Sequence, residues 1–262
     1  MNVDVVSDVH VGQWTSEKDG TAVPLFAAPT SPILVVAGNV SDDIHRTLTW
    51  LEQAASHYEH VLFVDGHREH AGVFPALFGT EYVYQETKRL CRDNVVYLPK
   101  RPFRVGDVVF VGVSGWWNYH NAREKRRYLS YFDELDEEDA CACIKNVLRR
   151  SMVDYLALKR IVERYEKDPS VRRIVVVTHT VPLEQFTDEK HSTTDFNSFM
   201  PVLLRRNKKI SHWVFGHTQR SCDQQVDGVR FVCHPRGRPD DAAARADYAR
   251  ATFRVDTSSP YK

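Results

Sequence analysis

The chain has 262 residues, of which 42% are hydrophobic and 27% charged, a composition that argues against a disordered polypeptide and suits one α/β domain over residues 1–262. Its 35 Lys and Arg balance its 35 Asp and Glu, so the chain as a whole offers no basic field to nucleic acid or to a membrane. No apolar run is long enough to span a bilayer and the start lacks a basic, apolar leader, so a cytoplasmic protein is expected.

Three short runs dominate the first half: Val3 to Ser7, Ile33 to Ala37 and Val61 to Val64. They are β-rich and continuous, which predicts strands buried on both faces of a parallel or mixed sheet. Residues 11 to 32 form a long connection without a clear period. After the second run, Asp42 or Asp43 can cap a helix that puts Ile44, Leu48 and Leu51 on one face, completing a βαβ unit. Phe103 to Val105, Gly106-Asp107 and Val108 to Val113 read as a hairpin.

Residues 119 to 168 are charged and helix-prone. The acidic stretch Asp133 to Asp139 is expected to split them into a short piece and a longer helix, with Ile144, Leu148, Met152, Tyr155 and Leu156 as its core stripe. Cys141 and Cys143 then point to different faces. With Cys91, Cys222 and Cys233 they make an odd count without C-x-x-C spacing, which predicts free thiols. Ile174 to Val177 is a further buried strand, residues 196 to 206 look helical, and Trp213 to Phe215 is a strand. Gln224 to Val226, Asp227-Gly228 and Val229 to Val232 make a hairpin with a type I′-like turn, and Phe253 to Val255 reads as a last edge strand.

Polar residues suited to metal chemistry follow five of these strands. They are Asp8 and His10; Asn39, Asp42 and Asp43; His67, Arg68, Glu69 and His70; His179; and His217 and Gln219. Loops beyond the carboxyl ends of strands line the ligand crevice of open α/β sheets, so this ordered set predicts one site. His45, His57, His60 and His120 read as ordinary surface or core histidines. Trp116-Trp117-Asn118-Tyr119 can line a cleft or fill the core.

In that order the residues resemble the signatures of the calcineurin-like metallophosphoesterases: D-x-H, G-D-x-x-D, G-N-H-E or G-N-H-D, a separated His, and G-H-x-H. Asp8-Val9-His10 matches the first, and Gly38-Asn39-Val40-Ser41-Asp42 is similar to the second, with Asn39 at the metal-bridging Asp. Gly66-His67-Arg68-Glu69 is similar to the third, with His67 at the Asn ligand and Arg68 at the catalytic His. Thr178-His179 and Gly216-His217-Thr218-Gln219 match the last two, with Gln219 replacing the final His. Cys233-His234-Pro235-Arg236-Gly237 is similar to a further loop of bacterial members. The resemblance implies two packed mixed β-sheets flanked by helices, a four-layer sandwich, and metal-dependent hydrolysis of phosphate mono- or diesters.

Carried over residue by residue, one metal position would use Asp8, His10, Asn39 and Gln219, and the other Asn39, His67, His179 and His217. A neutral amide bridges two cations poorly, so one or two weakly held ions, zinc or manganese, are expected, and the imidazole-rich position suits zinc or another late transition metal better than magnesium or calcium. Arg68 stays charged and cannot serve as a general acid, but it can clamp phosphate oxygens. His70, His234 and Asp43 are candidate proton sources. The expected partner is a phosphate-bearing substrate or ligand. A non-catalytic protein-binding role is the alternative, and nucleic acid is left open through Lys125-Arg126-Arg127 and Arg205 to Lys209.

Overall fold

In a computed structural model of the chain, residues 1–14, 29–73, 76–119, 137–187, 196–237 and 252–255 are described. His120, the basic cluster at 125–127 and the acidic residues 133–136 fall outside them.

Among the described residues, eleven strands form two sheets. The first orders β11 (Thr252–Arg254), β1 (Asn2–Val6), β2 (Ile33–Ala37), β3 (His60–Val64) and β4 (Val95–Tyr97). Its four central and late strands run parallel, and β11 is the antiparallel edge that the sequence places at 253–255. The second orders β5 (Phe103–Val105), β6 (Val108–Val113), β7 (Arg173–Thr178), β8 (Ile210–Phe215), β10 (Val229–Cys233) and β9 (Cys222–Val226). Here β6, β7, β8 and β10 are parallel, and β5 and β9 close the edges as hairpin partners. Asp227 (φ 50°) and Gly228 (φ 83°) carry the left-handed pair that a type I′ turn requires.

Period-two alternation divides each strand between two cores. Ile33, Val35 and Ala37 of β2 face Val108, Phe110, Val175 and Val177 of the second sheet, while Leu34 and Val36 face outward. A single turn, α1 (Val11–Trp14), follows β1, and outside the first sheet lies α2 (Ile44–Ala55), capped by the Asp43 carboxylate on the Arg46 N–H and burying Ile44, Leu48 and Leu51. Beside it lies α3 (Thr80–Leu90), which buries only Val83 and Thr87 and so leaves no apolar stripe to read. Outside the second sheet lie α4 (Glu137–Lys167) and α5 (Met200–Arg206), whose Leu158, Val162, Met200 and Leu203 pack on Ile174, Val176, Trp213 and Phe215. The layers are therefore helix, sheet, sheet, helix. No described helix is long and apolar enough to cross a membrane.

Two helical expectations need correction. The buried face of α4 is Ala140, Cys143, Val147, Ser151, Asp154, Leu158 and Val162, whereas Met152 and Leu156 are 40% and 51% exposed. The expected stripe was out of phase because Ser151 and Asp154, polar in sequence, occupy core positions; Asp154 accepts the Gly115 N–H at 2.9 Å and pairs with Arg150 at 2.9 Å. The longer helix starts inside the acidic run, at Glu137, and the short piece expected before it lies outside the described residues. Similarly, α5 begins at Met200 rather than 196, because the Asn197 side chain is spent on the carbonyls of Gly115 and Trp116.

Candidate metal centre

All five nominated loops emerge at the same end of the sheets and are bonded to one another. The Asp8 N–H donates to the Gly38 carbonyl, the His10 N–H to that of Asn39, and the Gly216 N–H to that of His179. Ser7 and Pro235 form a parallel bridge, which brings the His234 loop beside β1. Asp8, His10, Asn39 and His217 have φ of 49°, 50°, 56° and 71°. Left-handed backbone costs a non-glycine residue about 1–2 kcal/mol, so these loops are held in shape by their surroundings. The chain is also tightly apposed here. A Cβ on Gly66 would lie 2.5 Å from Asn39 Oδ1, and one on Gly216 would lie 2.6 Å from the Ala37 carbonyl.

Three histidines converge. Ligand atoms of His67, His179 and His217 all lie within 4.8 Å of one another, with His179 Nε2 at 3.3 Å from His67 Nδ1 and 3.2 Å from His217 Nδ1. His179 Nδ1 donates to the Ala37 carbonyl at 2.8 Å, which fixes the tautomer and leaves the Nε2 lone pair facing the other two rings. Burial, followed by the neighbouring imidazoles, holds His67 and His179 well below the usual histidine range. Their lone pairs are therefore available near neutrality. The buried Trp117 walls one side, stacked on His217 at 5.5 Å and edge-on to His67 at 5.7 Å.

Asn39 faces the other way. Its Oδ1 accepts the Arg68 N–H at 3.0 Å and its Nδ2 donates to Asp8 Oδ1 at 3.1 Å, so the amide orientation is set by a donor on one side and a carboxylate on the other. Asp8 Oδ2 accepts the His217 N–H at 2.9 Å. Burial pushes the Asp8 carboxyl up to about 6, against hydrogen bonds from Ser7, Asn39 and His217 that favour its charge. His10 is buried and borders an open groove of about 340 Å³ with Gly12, Gln13, Ser41, Asp42, Asp43 and Arg46. Gln219 is exposed beyond His217.

Arg68 is half-buried and makes a two-pronged pair with Asp42, Nε to Oδ1 at 2.6 Å and Nη2 to Oδ2 at 2.7 Å. Of the candidate proton sources, Asp43 is engaged as the α2 cap, and His234 is buried with its carbonyl bound by the Ser7 N–H. His70 is buried beneath the site. Its Nδ1 accepts the Phe78 N–H at 3.1 Å and its Nε2 donates to Asp65 at 2.8 Å. Asp65 also accepts the Tyr97 hydroxyl at 2.6 Å and lies 3.9 Å from Arg150. Burial alone would raise the Asp65 carboxyl, but these partners hold it well below the usual carboxylate range.

No protein-family model matches the chain, and no curated protein matches it in sequence. Among solved structures it is similar to the phosphopantetheinyl hydrolase of Mycobacterium tuberculosis, with a TM-score of 0.65 and 20% identity over 91% of this chain and 90% of that one. The chain has the metallophosphoesterase fold. A 5'-nucleotidase from Staphylococcus aureus matches 90% of this chain and 49% of its own at 15% identity and a TM-score of 0.49. The sulfate thiohydrolase SoxB of Thermus thermophilus matches 77% and 33% at 15% identity and 0.39. These two are too distant in shape to bear on the geometry.

Within this metallophosphoesterase fold, Glu69, Asp42 and Trp117 are the residues around the histidines to which sequence reasoning assigned no ligand or catalytic role. Glu69 stood in view as the last position of the third signature. The Arg68–Asp42 pair joins residues 26 apart on two loops, and no local pattern announces it. Trp117 had two readings, cleft or core, and the structure gives it both: it is buried and its ring touches two of the three histidines.

Proposed function

We propose that this chain is a metal-dependent phosphoester hydrolase that works, slowly on generic substrates, with a single tightly held ion. The observation that carries this reading is the division of labour at Asn39. On one side, three imidazole nitrogens converge within 4.8 Å, a donor set that fits one late divalent metal such as zinc. On the other, the Asn39 side chain donates to Asp8, so a neutral amide stands where a second cation would need a bridging carboxylate.

His67, His179 and His217 would hold the ion. A bound divalent cation supplies Lewis acidity toward a phosphoryl oxygen and makes a water easier to deprotonate. Arg68, once released from Asp42, supports a phosphate oxygen with two parallel N–H donors. Trp117 excludes water from the His217 side. Action in the cytoplasm on a mono- or diester fits this reading. The similarity to the Mycobacterium tuberculosis phosphopantetheinyl hydrolase makes phosphopantetheinyl esters one substrate class to include.

A second reading, a non-catalytic binding component, is favoured by Arg68 being already paired and Gln219 being exposed. Elemental analysis of protein purified without added metal, together with turnover of p-nitrophenyl phosphate, bis(p-nitrophenyl) phosphate and a phosphopantetheinyl ester, separates the two. One equivalent of metal with turnover that chelators abolish is expected. A folded protein with neither metal nor turnover gives the second reading.

A further inference from the structure

Glu69 is a buried carboxylate that pairs with no cation among the described residues, yet it sits between two loops that carry the metal centre. Its Oε1 accepts the Val40 N–H at 2.6 Å, the Thr47 hydroxyl at 3.2 Å and the Ser41 N–H at 3.4 Å. Its Oε2 accepts the Gly66 N–H at 2.8 Å and the Asn39 N–H at 3.1 Å. Five donors thus meet two oxygens. Three consecutive amides, from Asn39 to Ser41, turn toward the same carboxylate because Asn39 is left-handed. This is the concave arrangement of N–H groups that binds anions, filled here by a side chain.

We infer that Glu69 is a positioning residue that clasps the Asn39 loop to the Gly66-His67 loop and so sets where His67 stands relative to His179 and His217. The inference rests on the metal reading above. Two features make it specific to a carboxylate. An amide at this position would present its own N–H donors to a ring of donors, with at least one left facing another. Further, the loops meet so closely that a Cβ on Gly66 would lie 2.5 Å from Asn39 Oδ1, so their apposition depends on what holds them together. Asn39 is then held left-handed, its Oδ1 reaching the Arg68 N–H and its Nδ2 reaching Asp8.

The test uses the whole chain and cobalt(II) as the probe, whose d–d spectrum reports ligand geometry. Glu69→Gln is expected to weaken cobalt binding by about 10–100-fold and to alter the spectrum of the bound ion, as loss of outer-shell support does. Glu69→Asp, which keeps the charge one methylene short, is expected to fall between, and it carries the comparison should Glu69→Gln not fold. In parallel, amide exchange of the metal-free proteins should show lost protection at Asn39, Val40 and Gly66. A variant that melts lower but binds cobalt with unchanged affinity and spectrum overturns the inference and leaves Glu69 a packing residue. If the unmodified chain binds no cobalt, the metal reading fails. The exchange data still decide the clasp, and unchanged protection at those amides refutes it.

Discussion

The Asn39–Asp8 contact makes the single-ion reading quantitative. Asn39→Asp replaces the amide nitrogen, 3.1 Å from Asp8 Oδ1, with a carboxylate oxygen at nearly the same place. Two ionised carboxylates so close repel by about 5 kcal/mol at an effective dielectric constant of about 20. The pair escapes by sharing one proton, whose O–H then takes over the bond to Asp8, and the realised cost is that of keeping a carboxyl protonated near neutrality, about 1.5–3 kcal/mol for a group that titrates one to two pH units lower. For a chain of this size each kcal/mol moves Tm by about 2–4 °C, so the metal-free variant should melt roughly 3–12 °C below the parent. A divalent cation between the carboxylates reverses the sign. Calorimetry with chelator and then with manganese should show the variant recovering more than the parent gains. A manganese titration should reach two equivalents in the variant and one in the parent. If Asn39→Asp melts with the parent in chelator and takes up no second ion, the Asn39 amide is not what closes the Asp8 position.

The ligand assignment makes His179→Ala and His217→Ala lose the tight equivalent altogether by elemental analysis; two tight ions in the unmodified protein would contradict it. Asp42→Asn removes the partner that holds Arg68, and because this exposed pair is worth at most about 1 kcal/mol, inorganic phosphate should bind up to about fivefold tighter by calorimetric titration. Weaker phosphate binding would mean that the pair itself is the phosphate contact. Burial pushes the Cys91 and Cys143 thiols up to about 12 and Cys222 to about 11, and it raises Cys233 well above its usual value, whereas Cys141 is exposed. A maleimide at neutral pH should therefore label Cys141 first in the folded protein, read by peptide mass; early labelling of Cys233 would show that the second sheet's edge opens.

The strands were legible because they are buried on both faces. Ile33 to Ala37 and Ile174 to Val177 need no alternation to be recognised, and the Asp227-Gly228 turn carries its own conformational demand. The order of chemistry-bearing residues after those strands was legible too, since the parallel connections bring every carboxyl end to one place. What sequence hides is polarity in the wrong layer. Ser151 and Asp154 rotate the inferred stripe of α4 because they are buried for the sake of Gly115 and Arg150, and α3 has too few apolar residues to betray a buried face. Likewise, Arg68 reads as a free phosphate clamp until a loop partner 26 residues away is seen holding it.

The left-handed backbone at Asp8, His10, Asn39 and His217 places strain on the loops that carry the chemistry. Glycine at any of them relieves backbone strain of about 1 kcal/mol while deleting a side chain of the crevice. At Asp8 and Asn39 the hydrogen bonds lost to each other, to Arg68 and to His217 outweigh that relief, so stability pulls against metal retention only where the side chain bonds little of the fold. Read in reverse, a stability scan across these loops becomes a map of the centre: the positions where glycine is welcomed by the fold are the ones that serve something other than the fold.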